Sequence, residues 1–201
     1  IVVTDGSTDS TNTNAARYGE DIILLHQQAR NGKINAMDRA ARIANNELLV
    51  FTDANTLLNP AALVHISKEF SNTNVGMVSG EKSVKANMDG ESATGEGIYW
   101  RYESWLKKLD SDVSSVIGAA GELFAIRSDL YDTFPEDTIL DDFMLSSRVI
   151  SLGYKVAYQP KAVATEYGSS SYKEEWKRKV RICAGGLQST LRSLSLFNVK
   201  R

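Results

Sequence analysis

Short apolar runs alternate with helix-like segments along the first half of the chain, and this alternation limits the fold more than any other feature. Four β-branched or apolar runs predict strands, and the segments between them have helical spacing. The predicted order is a strand over Ile1–Thr4, a helix over Ser7–Tyr18, a strand over Asp21–Leu25, a helix over Asn31–Asn45, a strand over Leu48–Thr52, a helix from Pro60 to Phe70 and a strand over Val75–Glu81. A βαβα order is typical of an α/β domain, and the nearly all-apolar Leu48–Thr52 is typical of a parallel strand covered on both faces.

The second half is less regular. It predicts a helix over Ser92–Leu109, a strand over Glu122–Ile126, a helix over Asp141–Leu152, strands over Tyr154–Tyr158 and Ala162–Thr165, and a long amphipathic helix over Ser171–Leu194. We find no internal repeat, low-complexity segment or linker. The 201 residues therefore predict one domain, made of a regular half, 1–80, and a less regular half, 81–201.

Composition narrows the class of protein. Hydrophobic residues make up 42% and charged residues 24%, as in soluble globular proteins. The net charge of -2 argues against a nucleic-acid binder, which needs a basic excess. Cys183 is the only cysteine, so no intrachain disulfide forms, which fits a reducing compartment. No run approaches the roughly 20 apolar residues that span a bilayer.

Two aspartates follow predicted strands. Asp5 stands after Ile1–Thr4 and Asp53 after Leu48–Thr52. Ligands of open α/β sheets bind outside the carboxyl ends of parallel strands, so both carboxylates are expected on one rim. Either aspartate alone is also explained as a turn or cap residue. The pair, in Asp-Gly-Ser and Asp-Ala-Asn settings, favours a ligand site.

Three further segments have charges suited to a phosphorylated ligand or to acid–base chemistry. Asn31-Gly32-Lys33 opens a helix, whose free N–H groups and lysine suit a diphosphate. Asp141 and Asp142 begin another helix, where one serves as N-cap and the other could be a general base. Arg178 and Arg181 share a helix face and suit phosphate, although a solvated basic face explains the two arginines better when they are taken alone.

The order of these segments resembles the family 2 glycosyltransferases over nearly the whole chain. The matching motifs are Val3–Thr11 for the nucleotide pocket, Asn31-Gly32-Lys33, Asp53-Ala54-Asn55 for the Asp-x-Asp site, Gly118–Gly121 for the acceptor loop, Asp141-Asp142 for the Glu-Asp segment, and Arg178–Ile182 for the Gln/Arg-x-x-Arg-Trp motif. Each motif is short, but six in the family's order are hard to obtain by chance.

The resemblance implies an inverting enzyme with the Rossmann-like glycosyltransferase A fold, a mixed central sheet flanked by helices. Asp5, Gly6 and Ser7 would hold the base, commonly uracil, and Lys33 would lie near the nucleotide. Asp53, with Asn55, would address the diphosphate and a Mg²⁺ or Mn²⁺ ion. Asp142 would deprotonate the acceptor hydroxyl.

Two arginines complete the implied site: Arg178 and Arg181 would neutralise the leaving diphosphate or border the acceptor channel. The donor would be a nucleotide-diphospho-sugar, with UDP the expected nucleotide, and the acceptor a glycan or a lipid-linked hydroxyl. Because many relatives with this arrangement continue into transmembrane helices, we expect a membrane-anchored full-length protein with this domain on the cytoplasmic side.

The sequence departs from the family pattern in three places that bear on the implied activity. Asn55 replaces the second Asp of the metal motif, and Ile182 replaces the Trp of processive polymer synthases. The family's first strand, which normally precedes Ile1, is also missing. A sugar-nucleotide pyrophosphorylase and a non-catalytic nucleotide-sugar-binding domain therefore stay open as alternatives.

Overall fold

The computed structural model describes residues 1–85, 93–167 and 172–194. Its strands are β1 (Val2–Asp5), β2 (Leu24–Gln27), β3 (Leu48–Thr52), β4 (Leu57–Leu58), β5 (Val75–Lys85), β6 (Leu123–Arg127) and β7 (Lys155–Tyr167). Its α-helices are α1 (Thr11–Ala16), α2 (Lys33–Ile43), α3 (Ala62–Glu69), α4 (Ala93–Val113), α5 (Asp141–Ser151) and α6 (Tyr172–Arg192). Within the described ranges, none of the helices combines the length and apolar character needed to cross a membrane.

The main sheet is mixed, with strand order β3-β6-β5-β7-β4. β5 and β7 are parallel, whereas β6 is antiparallel to both β3 and β5, and β4 is antiparallel to β7. β1 and β2 form a separate parallel pair. The predicted mixed α/β fold is confirmed, but the prediction of β3 as a parallel strand is wrong. β3 is an edge strand, and its Val50 is 41% exposed, so the expected cover on both faces is also incomplete. An apolar run does not fix strand direction.

The central strands send alternate side chains to two apolar clusters. Met77, Phe124 and Ile126 pack with α5 residues on one face, while Val78 and Leu123 pack with α3 residues on the other. This alternation follows from the two-residue period of a strand. The sheet is thus covered on both faces, and its loops carry the polar residues of the site.

Several predicted boundaries shift for local reasons. The two strands predicted around Pro160 form one strand, β7, with a register irregularity between its pairs with Gly80 and Glu81. Helix α1 begins only at Thr11, whose backbone N–H donates to the Asp9 carboxylate at 3.0 Å, so residues 7–9 stay in a loop. The predicted starts at Ser92 and Ser171 lie outside the described residues.

Candidate active site

The carboxylate of Asp5 holds the backbone that precedes α2. It accepts hydrogen bonds from the N–H groups of Asn31 at 3.0 Å and of Gly32 at 2.6 Å. The sequence predicted that these N–H groups would be free to bind a diphosphate. That part of the prediction is wrong for Asn31 and Gly32, whose N–H groups are bound to Asp5. Helix α2 also begins two residues later than predicted, at Lys33, with Gly32 as its N-cap.

A small cavity of about 450 Å³ lies beside this contact. It is lined by Asp5, Gly6, Ser7, Thr8, Asp9, Arg30, Gly32 and Lys33. Gly6 is required here for two reasons: its φ is +69°, and a Cβ would lie 2.7 Å from the Cβ of Arg30. A side chain at this position would therefore strain the turn and push the opposite cavity wall.

A larger cleft of about 840 Å³ adjoins the start of α2. Lys33 lines both cavities, so the two meet at its side chain. Its Nζ lies 3.1 Å from Asp53 Oδ1 and 3.5 Å from Asp141 Oδ2. Burial opposes the charge of Lys33, but the carboxylates of Asp141 and Asp53 outweigh it, so its pKa is raised above the ordinary value. Lys33 thus stays charged at the junction.

Asp141 and Asp142 both lie in the first turn of α5, and neither is the N-cap. That position belongs to Leu140, which has no side-chain hydrogen bond to the helix. Asp142 Oδ1 accepts a hydrogen bond from the Phe143 N–H at 2.9 Å. Burial and the like charge of Asp141 together raise the pKa of Asp142 to about 6. A carboxyl with this pKa is ionised at neutral pH and holds a proton more strongly than an ordinary aspartate, as a general base requires.

A buried lysine stands at the opposite side of the large cleft, and the sequence analysis did not single it out. Lys82 forms ion pairs with Glu122 and Glu166. Burial opposes ionisation of Glu122, but Lys82 and, more weakly, Arg178 hold the pKa of Glu122 below its ordinary value. No local sequence signal marked this lysine: the predicted strand ended at Glu81, and Lys82 lies in the polar stretch Glu81-Lys82-Ser83.

Helix α6 brings Arg178, Arg181 and Ile182 into the wall of the large cleft. Arg178 lies 3.8 Å from Glu122 and 3.6 Å from Glu175, so its guanidinium is held at the edge of the ion cluster. The spacing argument for two arginines on one helix face agrees with their shared position in this wall. Trp105 and Trp176 are 55% and 60% exposed, which excludes a role in the core. The side chain of Trp100 lies outside the described residues.

The structure therefore distributes the proposed site residues over two connected cavities. The small cavity contains Asp5, Gly6, Ser7 and Lys33, and the large cleft contains Lys33, Asp53, Asn55, Asp142, Arg178 and Arg181. Although β1 and β3 belong to different sheets, Asp5 and Asp53 lie on either side of the start of α2. Asp5 and Asp53 are therefore near each other, as expected. The two strands that they follow, however, are not parallel strands of one sheet, as the prediction assumed.

The donor groups suit a divalent cation that a ligand helps to hold. Asp53 and Asn55 offer one carboxylate and one amide oxygen in the same cleft. Asp141 Oδ2 is buried and makes no hydrogen bond within the described residues, and its contact with Lys33 Nζ is a 3.5 Å ion pair. No cluster of three or more His, Cys, Asp or Glu side chains in the described ranges is arranged around a metal position. This donor set fits Mg²⁺ or Mn²⁺ bound mainly by phosphates, with few protein ligands.

The mixed sheet, the helices on both faces and the paired cavities define a glycosyltransferase A fold. The family described as "Glycosyltransferase like family 2" matches residues 1–185, and the chain belongs to this family of glycosyltransferases. Among solved structures, it is similar to mannosyltransferase PcManGT from Pyrobaculum calidifontis in complex with GDP-Man and Mn²⁺, with a TM-score of 0.80 and 24% identity over 96% of this chain and 54% of that one. It is also similar to TarS 1–349 of S. aureus, with a TM-score of 0.61 and 16% identity over 83% of this chain and 50% of that one.

Sequence relatives agree with this assignment. The chain is 25% identical to the poly-beta-1,6-N-acetyl-D-glucosamine synthase of Staphylococcus aureus (strain COL) over 100% of this chain and 50% of the relative. It is 25% identical to the Staphylococcus epidermidis synthase of the same name over 96% of this chain and 48% of the relative. The chain thus spans about half the length of the curated relatives it matches.

Proposed function

We propose that this domain transfers a sugar from a nucleotide-diphospho-sugar to a glycan or lipid-linked hydroxyl, with inversion at the anomeric carbon. One observation carries the proposal: the small cavity around Asp5 and the large cleft around Asp142 meet at the charged side chain of Lys33. An elongated donor would place its nucleoside in the first cavity, its diphosphate near Lys33 and its sugar in the second.

Residues 5–9 would bind the nucleoside end of the donor. Ser7 and the Asp5 carboxylate, which already accepts hydrogen bonds from the N–H groups of Asn31 and Gly32, would offer oxygens to the base. The absence of a side chain at Gly6 leaves the cavity open beside Arg30. We assign 1–80 as the nucleotide-binding half on this ground, since the small cavity is lined from residues 5–33 alone. Residues 81–201 would then supply the acceptor-binding half, with the Gly118–Gly121 loop in the cleft wall.

The chemical step requires a base, an electrophile and a stabilised leaving group. Asp142 accepts the proton of the acceptor hydroxyl as its oxygen bonds to the anomeric carbon. The bond from that carbon to the diphosphate oxygen breaks, and the electron pair leaves with the nucleoside diphosphate. Lys33, Arg178 and Arg181 oppose the negative charge that develops on this leaving group.

A divalent cation would bind beside these groups. Asp53, with a weaker contribution from the neutral Asn55, would hold Mg²⁺ or Mn²⁺ against the diphosphate. Bound there, the ion supplies additional neutralisation of the leaving group. PcManGT, the solved structure similar to this chain, is a complex with GDP-Man and Mn²⁺, which supports this part of the proposal.

The relatives point to polysaccharide synthesis as the process. Synthases of poly-beta-1,6-N-acetyl-D-glucosamine suggest N-acetylglucosamine as the sugar to test first, delivered as UDP-N-acetylglucosamine. GDP-mannose is the second donor to test, because it is bound in the similar solved structure. Our first expectation is a UDP-sugar.

An exposed apolar stripe on α6 supports membrane association of the full-length protein. It consists of Trp176, Val180, Leu187, Leu191 and Leu194, which recur at helical spacing and are 53–69% exposed. Lys173, Lys177 and Lys179 flank its first half. An apolar helix face with lysines at its borders suits an anionic bilayer surface, so we assign the domain to the cytoplasmic side of the membrane.

Binding to lipid vesicles tests the proposed membrane association. Trp176→Ser with Leu187→Ser should reduce co-sedimentation with phosphatidylglycerol vesicles, while Leu63→Ser, at an equally exposed position on α3, should not. If the stripe variant instead changes the oligomeric mass and leaves vesicle binding intact, the stripe covers a second copy of the chain.

The transferase activity is tested on the full-length protein. Release of UDP from UDP-N-acetylglucosamine, or of GDP from GDP-mannose, should require Mn²⁺ and fall strongly in Asp53→Asn. Asp129→Asn, at an exposed position outside both cavities, is the matched control. Formation of UTP from the UDP-sugar and pyrophosphate would indicate a pyrophosphorylase instead. Donor binding without release or transfer would indicate a binding domain.

A further inference from the structure

The side-chain amide of Gln188 on α6 uses both its oxygen and its nitrogen to bind the backbone of residues 137–139. Its Oε1 accepts a hydrogen bond from the Ile139 N–H at 3.0 Å, and its Nε2 donates to the Asp137 carbonyl at 2.9 Å. Residues 137–140 line the large cleft and lead directly into α5. An amide that satisfies a donor and an acceptor of the same segment fixes both its position and its orientation.

Two neighbours on the same face of α6 hold the same stretch. The Arg192 guanidinium donates to Asp137 Oδ2 at 2.7 Å and to Thr138 Oγ1 at 3.0 Å. At Gly185, an added Cβ would lie only 2.6 Å from Leu140 Cγ, so the helix backbone and the loop are in close contact. The spacing of 185, 188 and 192 places all three on one helix face.

The start of α5 depends on this outside support. A Ser, Thr, Asp or Asn N-cap would fix the first turn locally, which is worth about 1 kcal/mol. The N-cap here is Leu140, which has no side-chain oxygen and makes no side-chain hydrogen bond to the helix. Asp141 and Asp142 lie in that first turn. Their position therefore follows that of residues 137–140, and α6 holds those residues.

We propose that Gln188 is a positioning residue for Asp142, and that α6 fixes the spacing between this base and the arginines at the diphosphate site. The proposal rests on the function proposed above, in which Asp142 is the base. Arg178 and Arg181 lie toward the other end of the same helix and line the same cleft. Helix α6 thus carries both the arginines that would contact the leaving group and the residue that holds the segment before the base.

The first test removes the amide contacts from the full-length protein. Gln188→Leu keeps most of the side-chain volume and removes both hydrogen bonds. Because a displacement of about 1 Å costs on the order of 10²-fold in rate, we expect kcat to fall roughly 10- to 100-fold. The KM for the donor, UDP-N-acetylglucosamine or GDP-mannose, should stay within about twofold, since the donor contacts are elsewhere.

The chain contains a matched control. The side-chain amide of Asn59 also binds a short backbone segment with both of its polar atoms. Its Oδ1 accepts a hydrogen bond from the Val163 N–H at 2.9 Å, and its Nδ2 donates one to the Lys161 carbonyl at 3.1 Å. It lines neither cavity. Asn59→Leu should therefore cost similar stability and leave kcat near the wild-type value, measured at a temperature where both variants are folded.

A second pair of variants tests the same contact by adding an atom. Gly185→Ala places a methyl group against Leu140 and Ile139, whereas a Cβ at the adjacent Gly186 meets nothing within 4 Å. Both changes replace a helical glycine with alanine, so their effects on helix propensity match. We expect a lower kcat for Gly185→Ala and an unchanged kcat for Gly186→Ala.

Hydrogen exchange gives a readout that needs no substrate. Amide exchange in a peptide covering residues 136–144 should accelerate in Gln188→Leu and not in Asn59→Leu. Equal kcat values for these two variants, or a donor KM that rises as kcat falls, would overturn the positioning role. If the wild-type protein releases neither UDP nor GDP, the proposed function fails, and this role of Gln188 fails with it. Activity that survives in Asp142→Asn would remove the base that Gln188 is meant to position.

Discussion

Replacing Asp141 with asparagine should move the acid limb of the transfer rate to lower pH. The pKa of Asp142 is raised to about 6 by burial and by the adjacent carboxylate of Asp141. Removing that carboxylate removes the second of these causes, so the pKa of Asp142 should fall toward its ordinary value of 3.8.

The size of the effect follows from the pKa. With a pKa of about 6, roughly nine-tenths of Asp142 is ionised at pH 7 and roughly one-tenth at pH 5. If Asp142 is the base, the wild-type rate should fall by about tenfold over this interval. A bound divalent cation favours the carboxylate, so the wild-type limb should lie at about pH 6 or somewhat below it. In Asp141→Asn, burial still raises the pKa of Asp142, so the acid limb should move only part of the way toward pH 3.8, and the rate should fall by less than tenfold between pH 7 and pH 5.

The assay is nucleoside diphosphate release at saturating donor and acceptor between pH 4.5 and 8.5, on full-length protein. Asp142→Asn is the companion variant: it cannot accept a proton and should lose about 10²–10⁴ in rate at all pH values, with donor affinity unchanged. An acid limb that stays in place in Asp141→Asn would refute the coupling. If Asp142→Asn retains near-normal transfer while Asp141→Asn abolishes it, the roles of the two residues are reversed.

Three further predictions concern stability and metal binding. Asp142 is harder to ionise in the folded chain than in the unfolded chain, so its ionisation destabilises the fold increasingly between about pH 4 and pH 6 and to the full extent above pH 6. Asp142→Asn should therefore raise the free energy of unfolding by up to about 3 kcal/mol at pH 8 and by under about 1 kcal/mol at pH 4, measured by urea unfolding. Lys82→Met should cost about 3–5 kcal/mol in the same assay, because it removes the lysine that pairs with the largely buried Glu166 and Glu122 and leaves Glu122 with the more distant Arg178. Lys161→Met, at an exposed position, should cost little. Titration with Mn²⁺ in the absence of nucleotide should show weak binding that Asn55→Asp strengthens; strong binding that survives Asp53→Ala would contradict the metal assignment.

Elements with strong local signals were predicted well. Leu48–Thr52 was predicted with its observed bounds, and the helix beginning at Asp141 was placed at its observed start. Hydrophobic periodicity determines whether a segment can bury one face as a helix or both faces as a strand, and this is decided within about ten residues. The resemblance to the family 2 glycosyltransferases, now confirmed, rested on such local motifs in the family's order.

Features that join distant segments were missed or wrong. The partner of β3 is β6, whose paired residues lie about 75 positions along the chain, and nothing in an apolar run indicates an antiparallel neighbour. The ion pairs of Lys82 join β5 to Glu122 and to Glu166 on β7. An isolated lysine in a sequence is indistinguishable from a solvated one until its neighbours are known.

The sequence by itself determined which segments fold into helices and strands, which family the chain belongs to, and which residue types are available for chemistry. The tertiary structure alone decided how these are used. The Asp5 carboxylate accepts hydrogen bonds from the backbone before α2. Leu140 occupies the N-cap of α5, where an aspartate was expected. Gln188 reaches Ile139 across 49 positions of sequence. Hydrogen bonds and ion pairs act over about 3–4 Å, and only the folded chain brings such distant residues to that separation.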